Sequence, residues 1–330
     1  MTRTPLVDVA IVTYNHENFV AQAIESVLSQ EFDGECRLII GDDYSTDRTQ
    51  AIVADYAQRY PDRIITIFSS EHLGLAHKDR VGLKVLESCT AKYVAMLDGD
   101  DYWTDVHKLQ KQVGFLESHP DFAISCHNVT LFYEDGSKEA VNLLPPDQRE
   151  VSTLEDLLLA NFIPTCSVVF RRGLFGKLPD WYFSLSIGDW PIHIMNAQHG
   201  KIGYINEAMA AYRVHHAGVW SSWGPVTQQL EIIRMLDYVD AYLEFSYEKT
   251  VKKAKAAWYY RLAETSHNQG DRVNARIFLK KYFSFSDLEI RKEVLSLLLR
   301  IETPALYKRL ITLRDFVRSA ASNKHYEHLY

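Results

Sequence analysis

Long apolar runs are missing from this chain. No stretch reaches 18 uninterrupted apolar residues, and no apolar segment with a small-residue cleavage site precedes the first strand-like run. That excludes a membrane-spanning helix and a secretory leader, so the expected location is soluble and cytoplasmic. Cysteine is scarce too: Cys36, Cys89, Cys126 and Cys166 are the only four, and no CxxC pair occurs. Neither a zinc site nor a disulfide framework is indicated, and reduced, buried thiols are expected. Without a leader, the sequon Asn128-Val129-Thr130 reads as chance. No GxGxxG follows the first apolar run, which removes the dinucleotide fingerprint.

What remains is ordinary globular material. The 330 residues are 47% hydrophobic and 24% charged. That length suits one large domain with a sizeable core and a smaller one beside it. The net charge of −7 is unevenly divided. Residues 1–224 hold 18 Lys+Arg against 30 Asp+Glu, whereas residues 225–330 hold 18 against 13. A boundary is therefore expected at Gly224-Pro225, between domains of 1–224 and 225–330. The acidic first part argues against nucleic acid as ligand. The basic tail fits an anionic surface at the inner face of the plasma membrane, the acidic domain itself, or a homodimer interface.

The first hundred residues alternate strand and helix. "LVDVAIVTY", "CRLIIGDD", "RIITIFSS" and "KYVAML" read as strands. "FVAQAIESVLSQ" reads as a helix with Phe19, Ala23, Val27 and Leu28 on one face. "RTQAIVADYAQRY" is a second helix, N-capped from Ser45-Thr46-Asp47, and "AHKDRVGLKVLESC" a third. Such alternation predicts an α/β fold in which helices cover a largely parallel sheet, with ligands beyond the carboxyl ends of the strands. Those ends carry Thr13-Tyr14-Asn15, Asp42-Asp43 and Asp98–Asp101. Further on, "FAISCHNVTLFY", "TCSVVFRR" and "KIGYINEAMAAYRVH" are strand-like around the helix "TLEDLLLANF". Beyond 225 the pattern is helical. Two helices meet at Asn268–Asp271, where Ala263, Gly270, Ala275 and Leu279 loosely suit a tetratricopeptide-like hairpin.

The stretch "AMLDGDDYW" places Asp98, Asp100 and Asp101 within four positions. Clustered carboxylates are stable when a divalent cation neutralises them, and Mg²⁺ or Mn²⁺ takes oxygen ligands while leaving room for substrate phosphates. Asp98-Gly99-Asp100 on a turn aims two acids at one point, and Gly99 permits close approach. An EF-hand loop fails, because Trp103 and Leu109 stand where Gly and Glu are needed. A solvated acidic loop capping the next helix is the alternative.

Five stretches in order carry a resemblance: "VAIVTYNHENFVAQAIESVLSQ", "LIIGDDYSTDRT", "YVAMLDGDDYW", "IGDW" and "YRVHHAGVWS". Together, over about residues 6–222, they resemble the family 2 glycosyltransferases. The resemblance implies the GT-A fold, a Rossmann-like mixed sheet flanked by helices, here with an all-α C-terminal extension. It also implies an inverting, metal-dependent sugar transfer. By the same resemblance Thr13, Tyr14 and Asn15 meet the nucleotide. Asp43 hydrogen-bonds the base, Asp98 and Gly99 lie at the ribose, and Asp100 binds the metal, Mn²⁺ or Mg²⁺. Asp189 matches the catalytic carboxylate, and His215, ahead of His216, completes the metal site or meets the diphosphate.

Asp189 also suits a helix N-cap before "WPIHIMNAQ", and one carboxylate can serve both ends. Trp190 follows it as a candidate acceptor contact. Many relatives carry "ARN" where this chain has "GLAHKDRVGL", so Lys78 or Arg80 takes the place of that donor-side arginine. The expected donor is a UDP-sugar, or else a dTDP-sugar. The expected acceptor is a glycan or lipid-linked saccharide in bacterial surface polysaccharide synthesis. Nucleotidyl transfer would want a glycine-rich basic loop where "TYNHEN" stands. A degenerate scaffold would have no need of Asp43, Asp98, Asp100, Asp189 and His215 together.

Overall fold

The computed structural model describes residues 5–74, 80–216, 218, 223–286, 292–305 and 307. They fall into two compact units, one of residues up to 223 with 237–243, the other of 224–236 with 244 onward.

The first unit is built on a ten-stranded mixed sheet. β1 (Val7–Thr13), β2 (Cys36–Asp42), β3 (Ile64–Phe68) and β4 (Tyr93–Asp98) run parallel, in the order β3-β2-β1-β4. β1 is central among them, which is why "VDVAIV" is apolar almost throughout: both of its faces are covered. The register pairs Thr13 with Asp42 and Val12 with Asp98, so the polar ends of three strands stop at one level. That alignment creates the site.

Beyond β4 the sheet continues through β9 (Val169–Arg171), β6 (Phe122–Tyr133) and β10 (Lys201–Val214) to the short β5 (Tyr102–Trp103). β7 (Val141–Asn142) and β8 (Val151–Ser152) pair with β6 and β10 at the side. β9 is antiparallel to both neighbours, making the sheet mixed.

The covering helices are α1 (Val20–Leu28), α2 (Thr49–Arg59), α3 (Val81–Ser88), α4 (Lys108–Ser118), α5 (Leu154–Leu159) and α6 (Asp189–Ala197). α1 buries Val20, Ala23, Ile24 and Val27. This corrects the expected face: Phe19 is the N-cap residue, and Leu28 is only partly buried. Ile11, Ile24, Leu38, Ile40 and Leu97 are fully buried in one cluster, each worth about 1.5–3 kcal/mol. The segment "TCSVVFRR" is not one strand, since Thr165–Ser167 forms a 3₁₀ turn before β9. At the opposite end of the sheet, buried Asp8 receives Arg37 Nε at 2.9 Å and Nη2 at 3.0 Å, with the Thr90 and Ala91 amides at 2.6 and 2.8 Å.

The second unit is helical: the first part of α7 (Pro225–Tyr242), then α8 (Glu248–Asn268), α9 (Arg272–Phe285) and α10 (Lys292–Glu302). Gly270, at φ +83°, ends α8, and the Asp271 carboxylate caps α9 by accepting the Asn274 amide at 3.0 Å. Ala263, Ala275, Leu279 and Tyr282 are buried between these helices and α10. Among the described residues no helix is long and apolar enough to cross a membrane.

Candidate active site

Two loops form one wall of the site. Asn15, after β1, sits in the left-handed region at φ 55°, and Tyr44, after β2, at φ 65°. Hydrogen bonds hold the turns together. The Asn15 amide donates to Ser45 Oγ at 2.8 Å, and Asn15 Oδ1 accepts the Thr46 amide at 2.8 Å. The His16 amide donates to Thr49 Oγ1 at 2.8 Å, and the Glu17 amide to Asp47 Oδ2 at 3.0 Å. Asn15 is thus a brace between loops. Asp47 Oδ1 also accepts the Thr49 amide, so the expected cap of α2 is met although the backbone N-cap position belongs to Arg48.

The two acids of "GDDYSTD" part company here. Asp42 turns inward to accept from the Ser45 amide and Gln50 Nε2. Asp43 turns the other way. Its carboxylate accepts the Leu73 and Gly74 amides at 3.2 and 2.9 Å and lies 2.9 Å from His72 Nδ1. The His72 ring stacks on Tyr14, centroids 4.1 Å apart and planes at 22°. A flat aromatic surface thus stands beside a buried carboxylate.

β4 delivers the acidic turn against this wall. A Cβ on Gly99 would lie 2.7 Å from Thr13 Cβ and Oγ1 and 3.0 Å from His16 Nδ1, so only glycine lets the turn approach. Asp100 Oδ2 lies 2.9 Å from His215 Nε2 and 3.7 Å from His16 Nε2. One ligand atom from each of the three falls within 4.8 Å of the others. These three side chains could hold one divalent cation. Thr13 Oγ1 and His16 Nδ1 are buried with no hydrogen-bond partner among the described residues. Of the two adjacent histidines, His215 meets Asp100, while the His216 side chain is 98% exposed near Asp135.

His16 escaped the sequence reading. Nothing in the interval from 16 to 100 announces contact; only the pairing of β1 with β4 does. Arg213 escaped as well. From β10 its backbone amide donates to Asp101 Oδ1 at 2.8 Å, its Nε to the Asp100 carbonyl at 2.8 Å, and its Nη2 to Gln22 Oε1 at 2.7 Å, with Glu134 also in contact. It clamps the acidic turn from behind.

The three acids of the turn are held in different states. Burial pushes Asp98 up to about 8, and the charges of Asp100 and Asp189 add to the shift. Burial, then Asp100 and Asp98, likewise lifts Asp101 well above the usual carboxylate range. For Asp100 burial also acts upward, but the His215 hydrogen bond and the charges of His16 and His215 outweigh it and hold this carboxyl low. Asp100 is therefore the member kept ionised.

Asp189 reaches the same place from another element. It is the first residue of α6, but the cap position is Gly188, so the side chain is not the helix cap. Its Oδ2 accepts from Thr165 Oγ1 at 3.3 Å, and Thr165 also acts on Asp98, opposing the rise in its pKa. The Asp189 charge, in turn, is felt at Asp98. The loop before α6 is fastened by the Tyr182 hydroxyl on the Gly188 carbonyl at 2.9 Å. Arg80 lies over the Tyr182 ring at 4.3 Å and donates to the Leu185 carbonyl at 3.2 Å. Arg80 is buried in that fastening, and Lys78 lies outside the described residues. Trp190 corrects the expected acceptor contact: it is 3% exposed, and its indole N–H donates to the Leu157 carbonyl at 3.0 Å.

Comparison with known proteins adds the context. Residues 8–178, 171 of the 330, match the family model described as Glycosyl transferase family 2. An uncharacterized protein of Mycobacterium tuberculosis is 36% identical over 212 residues, 64% of this chain and 59% of that protein. The chain therefore matches less than two thirds of that relative's length. The Escherichia coli protein WfaP, a UDP-Glc:alpha-D-GlcNAc-diphosphoundecaprenol beta-1,3-glucosyltransferase, is 34% identical over 117 residues, 36% of this chain and 43% of WfaP. In structure the chain is similar to the mannosyltransferase PcManGT of Pyrobaculum calidifontis in complex with GDP-Man and Mn²⁺. The TM-score is 0.57 and the identity 16%, over 99% of this chain and 88% of that one.

Proposed function

The chain belongs to glycosyl transferase family 2, and from that premise we propose that it moves a sugar, with inversion, from a nucleoside-diphosphate donor to a glycan or lipid-linked saccharide. The observation that carries this reading is the convergence of Asp100, His215 and His16 with Asp43 on one side and Asp189 on the other, all at the carboxyl edge of one sheet. WfaP supports a UDP-sugar and an acceptor on a lipid diphosphate, with a dTDP-sugar as the second choice of donor. Surface polysaccharide synthesis is the setting that fits these substrates.

Each residue has its task. The base lies by Tyr14 and His72 and donates an N–H to Asp43. Thr13, Gly99 and Asp98 face the ribose and phosphates, where the Thr13 hydroxyl, without a partner among the described residues, is available to bind. Asp100, His215 and His16 hold the cation. Two imidazoles beside one carboxylate suit Mn²⁺ better than Mg²⁺, which prefers oxygen ligands alone. When bound, the cation neutralises the charge that develops on the leaving diphosphate.

Asp189 is the general base. The acceptor hydroxyl attacks the anomeric carbon from the face opposite the diphosphate and gives its proton to the Asp189 carboxylate. The anomeric carbon–oxygen bond breaks, and its electron pair leaves on the diphosphate. Thr165 keeps Asp189 oriented, and Arg80 with Tyr182 fixes the loop that presents it.

Thermal-shift titrations of UDP, dTDP, GDP and CDP, each with and without Mn²⁺, test the donor half. One diphosphate should stabilise the protein only with metal, by roughly 2.7 kcal/mol at a hundredfold excess over its dissociation constant. Asp100→Ala and His16→Ala should abolish that gain. No stabilisation by any nucleotide would mean a scaffold that has kept the residues without the activity.

A further inference from the structure

We infer that the outer face of α9 is a docking surface for an anionic membrane leaflet. The helix buries Ala275, Leu279 and Tyr282 against its neighbours. At 100° per residue, the side away from them carries Val273, Arg276, Ile277, Lys280 and Lys281, all of them exposed. Val273 is 69% and Ile277 47% exposed, one turn apart, so two branched aliphatic side chains stand in water at the centre of this face. Three cationic side chains, Arg276, Lys280 and Lys281, flank them, and the fourteen residues of the helix include no acid.

Charge and shape choose the occupant. An aliphatic centre ringed by Arg and Lys lets methyl groups enter the headgroup boundary while the long cationic stems keep their charges at phosphate level. A protein partner would need an acidic ring around an apolar pocket of matching curvature. A bilayer offers dense negative charge and an apolar layer beneath it to any convex face. Each basic side chain that reaches an anionic leaflet strengthens adsorption about fivefold. Arg276 is also 2.9 Å from Glu302, so Lys280 and Lys281 are expected to contribute most. The inference does not depend on the identity of the donor.

The test sediments the 330-residue chain with large unilamellar vesicles of phosphatidylcholine alone or mixed with phosphatidylglycerol, at low and high ionic strength. Pelleting with the anionic vesicles only, weakened by salt, is expected. Lys280→Glu/Lys281→Glu should lower the partition coefficient at least about twentyfold with an unchanged melting curve. Val273→Asp/Ile277→Asp should do the same. The exposed lysine pair keeps the test valid even if the aliphatic pair affects folding. Equal pelleting of the lysine variant and the parent overturns the inference, as does no pelleting with anionic vesicles at low salt. So does a gel-filtration dimer that the aliphatic variant splits without any change in vesicle binding, because that face would then belong to a second copy of the chain.

Discussion

The parallel strands carry acids at both ends, and the two ends are treated in opposite ways. At the amino end, Asp8 is fully buried and fully answered, with a two-point Arg37 contact and two backbone amides on its oxygens. At the carboxyl end, Asp98, Asp100 and Asp101 crowd together, two of them driven toward protonation, while Thr13 Oγ1 and His16 Nδ1 beside them find no partner among the described residues. A buried charge that the fold completes by itself is structural. A buried cluster that the fold leaves incomplete, at evident cost, is kept for something that arrives later.

Four experiments would break or sharpen that contrast. The largest effect is expected at the carboxyl end: Asp189→Asn should cut turnover by about 10²–10⁴-fold while leaving metal-dependent nucleotide binding intact, as read by steady-state rates and thermal shift. Next comes Asp8→Ala, which strands the Arg37 guanidinium and should lower unfolding free energy by about 3–5 kcal/mol in denaturant titrations. Its surviving folded fraction should still bind nucleotide, and selective loss of binding would erase the distinction between the ends. Gly99→Ala should cost about 1–3 kcal/mol and weaken metal-dependent binding together, since its methyl group collides with Thr13 and His16.

The smallest effect concerns a third buried charge, Lys108. It lies over Trp103 at 4.0 Å and donates to Gln112, which passes hydrogen bonds on to the Ser125 and Ser167 carbonyls. Burial pushes its ammonium down to about 7. The folded state then binds fewer protons than the unfolded chain between about pH 7 and 10.5, so stability should rise with pH across that window. In Lys108→Met the rise should vanish from melting temperatures measured at successive pH values. An unchanged slope would mean that another group is responsible.

The contrast also explains what could be read in advance. β1 to β4 announce themselves because strands covered on both faces are apolar throughout, and the acids that end them stand out against that background. Helical spacing likewise marked α8 and α9, with the turn at Gly270 between them. β10 is harder. Its register against β6 slips between Ile205 and Ala208 and again between Ala208 and Ala210, and a bulged strand has no clean period of two. Asp43, Asp100, Asp189 and His215 were visible through short motifs in which the residue and its context are contiguous. His16, His72, Thr165 and Arg213 were not, because each takes its place from a strand or turn distant in sequence. Trp190 shows the converse: adjacency to Asp189 along the chain said nothing about which way its ring would point, and it points into the core.

The brace between the first two loops has a consequence for the heat and timing of ligand capture. Asn15, His16 and Glu17 are already bonded to Ser45, Thr46, Asp47 and Thr49, and two of the turn residues already hold left-handed backbone angles. These bonds reduce the ordering entropy that the two turns would lose when a nucleotide arrives. Calorimetry of nucleoside diphosphate binding should accordingly show a heat-capacity change no larger than the ligand's own buried apolar surface requires. Association should then proceed in a single concentration-dependent step, set by diffusion into a finished wall.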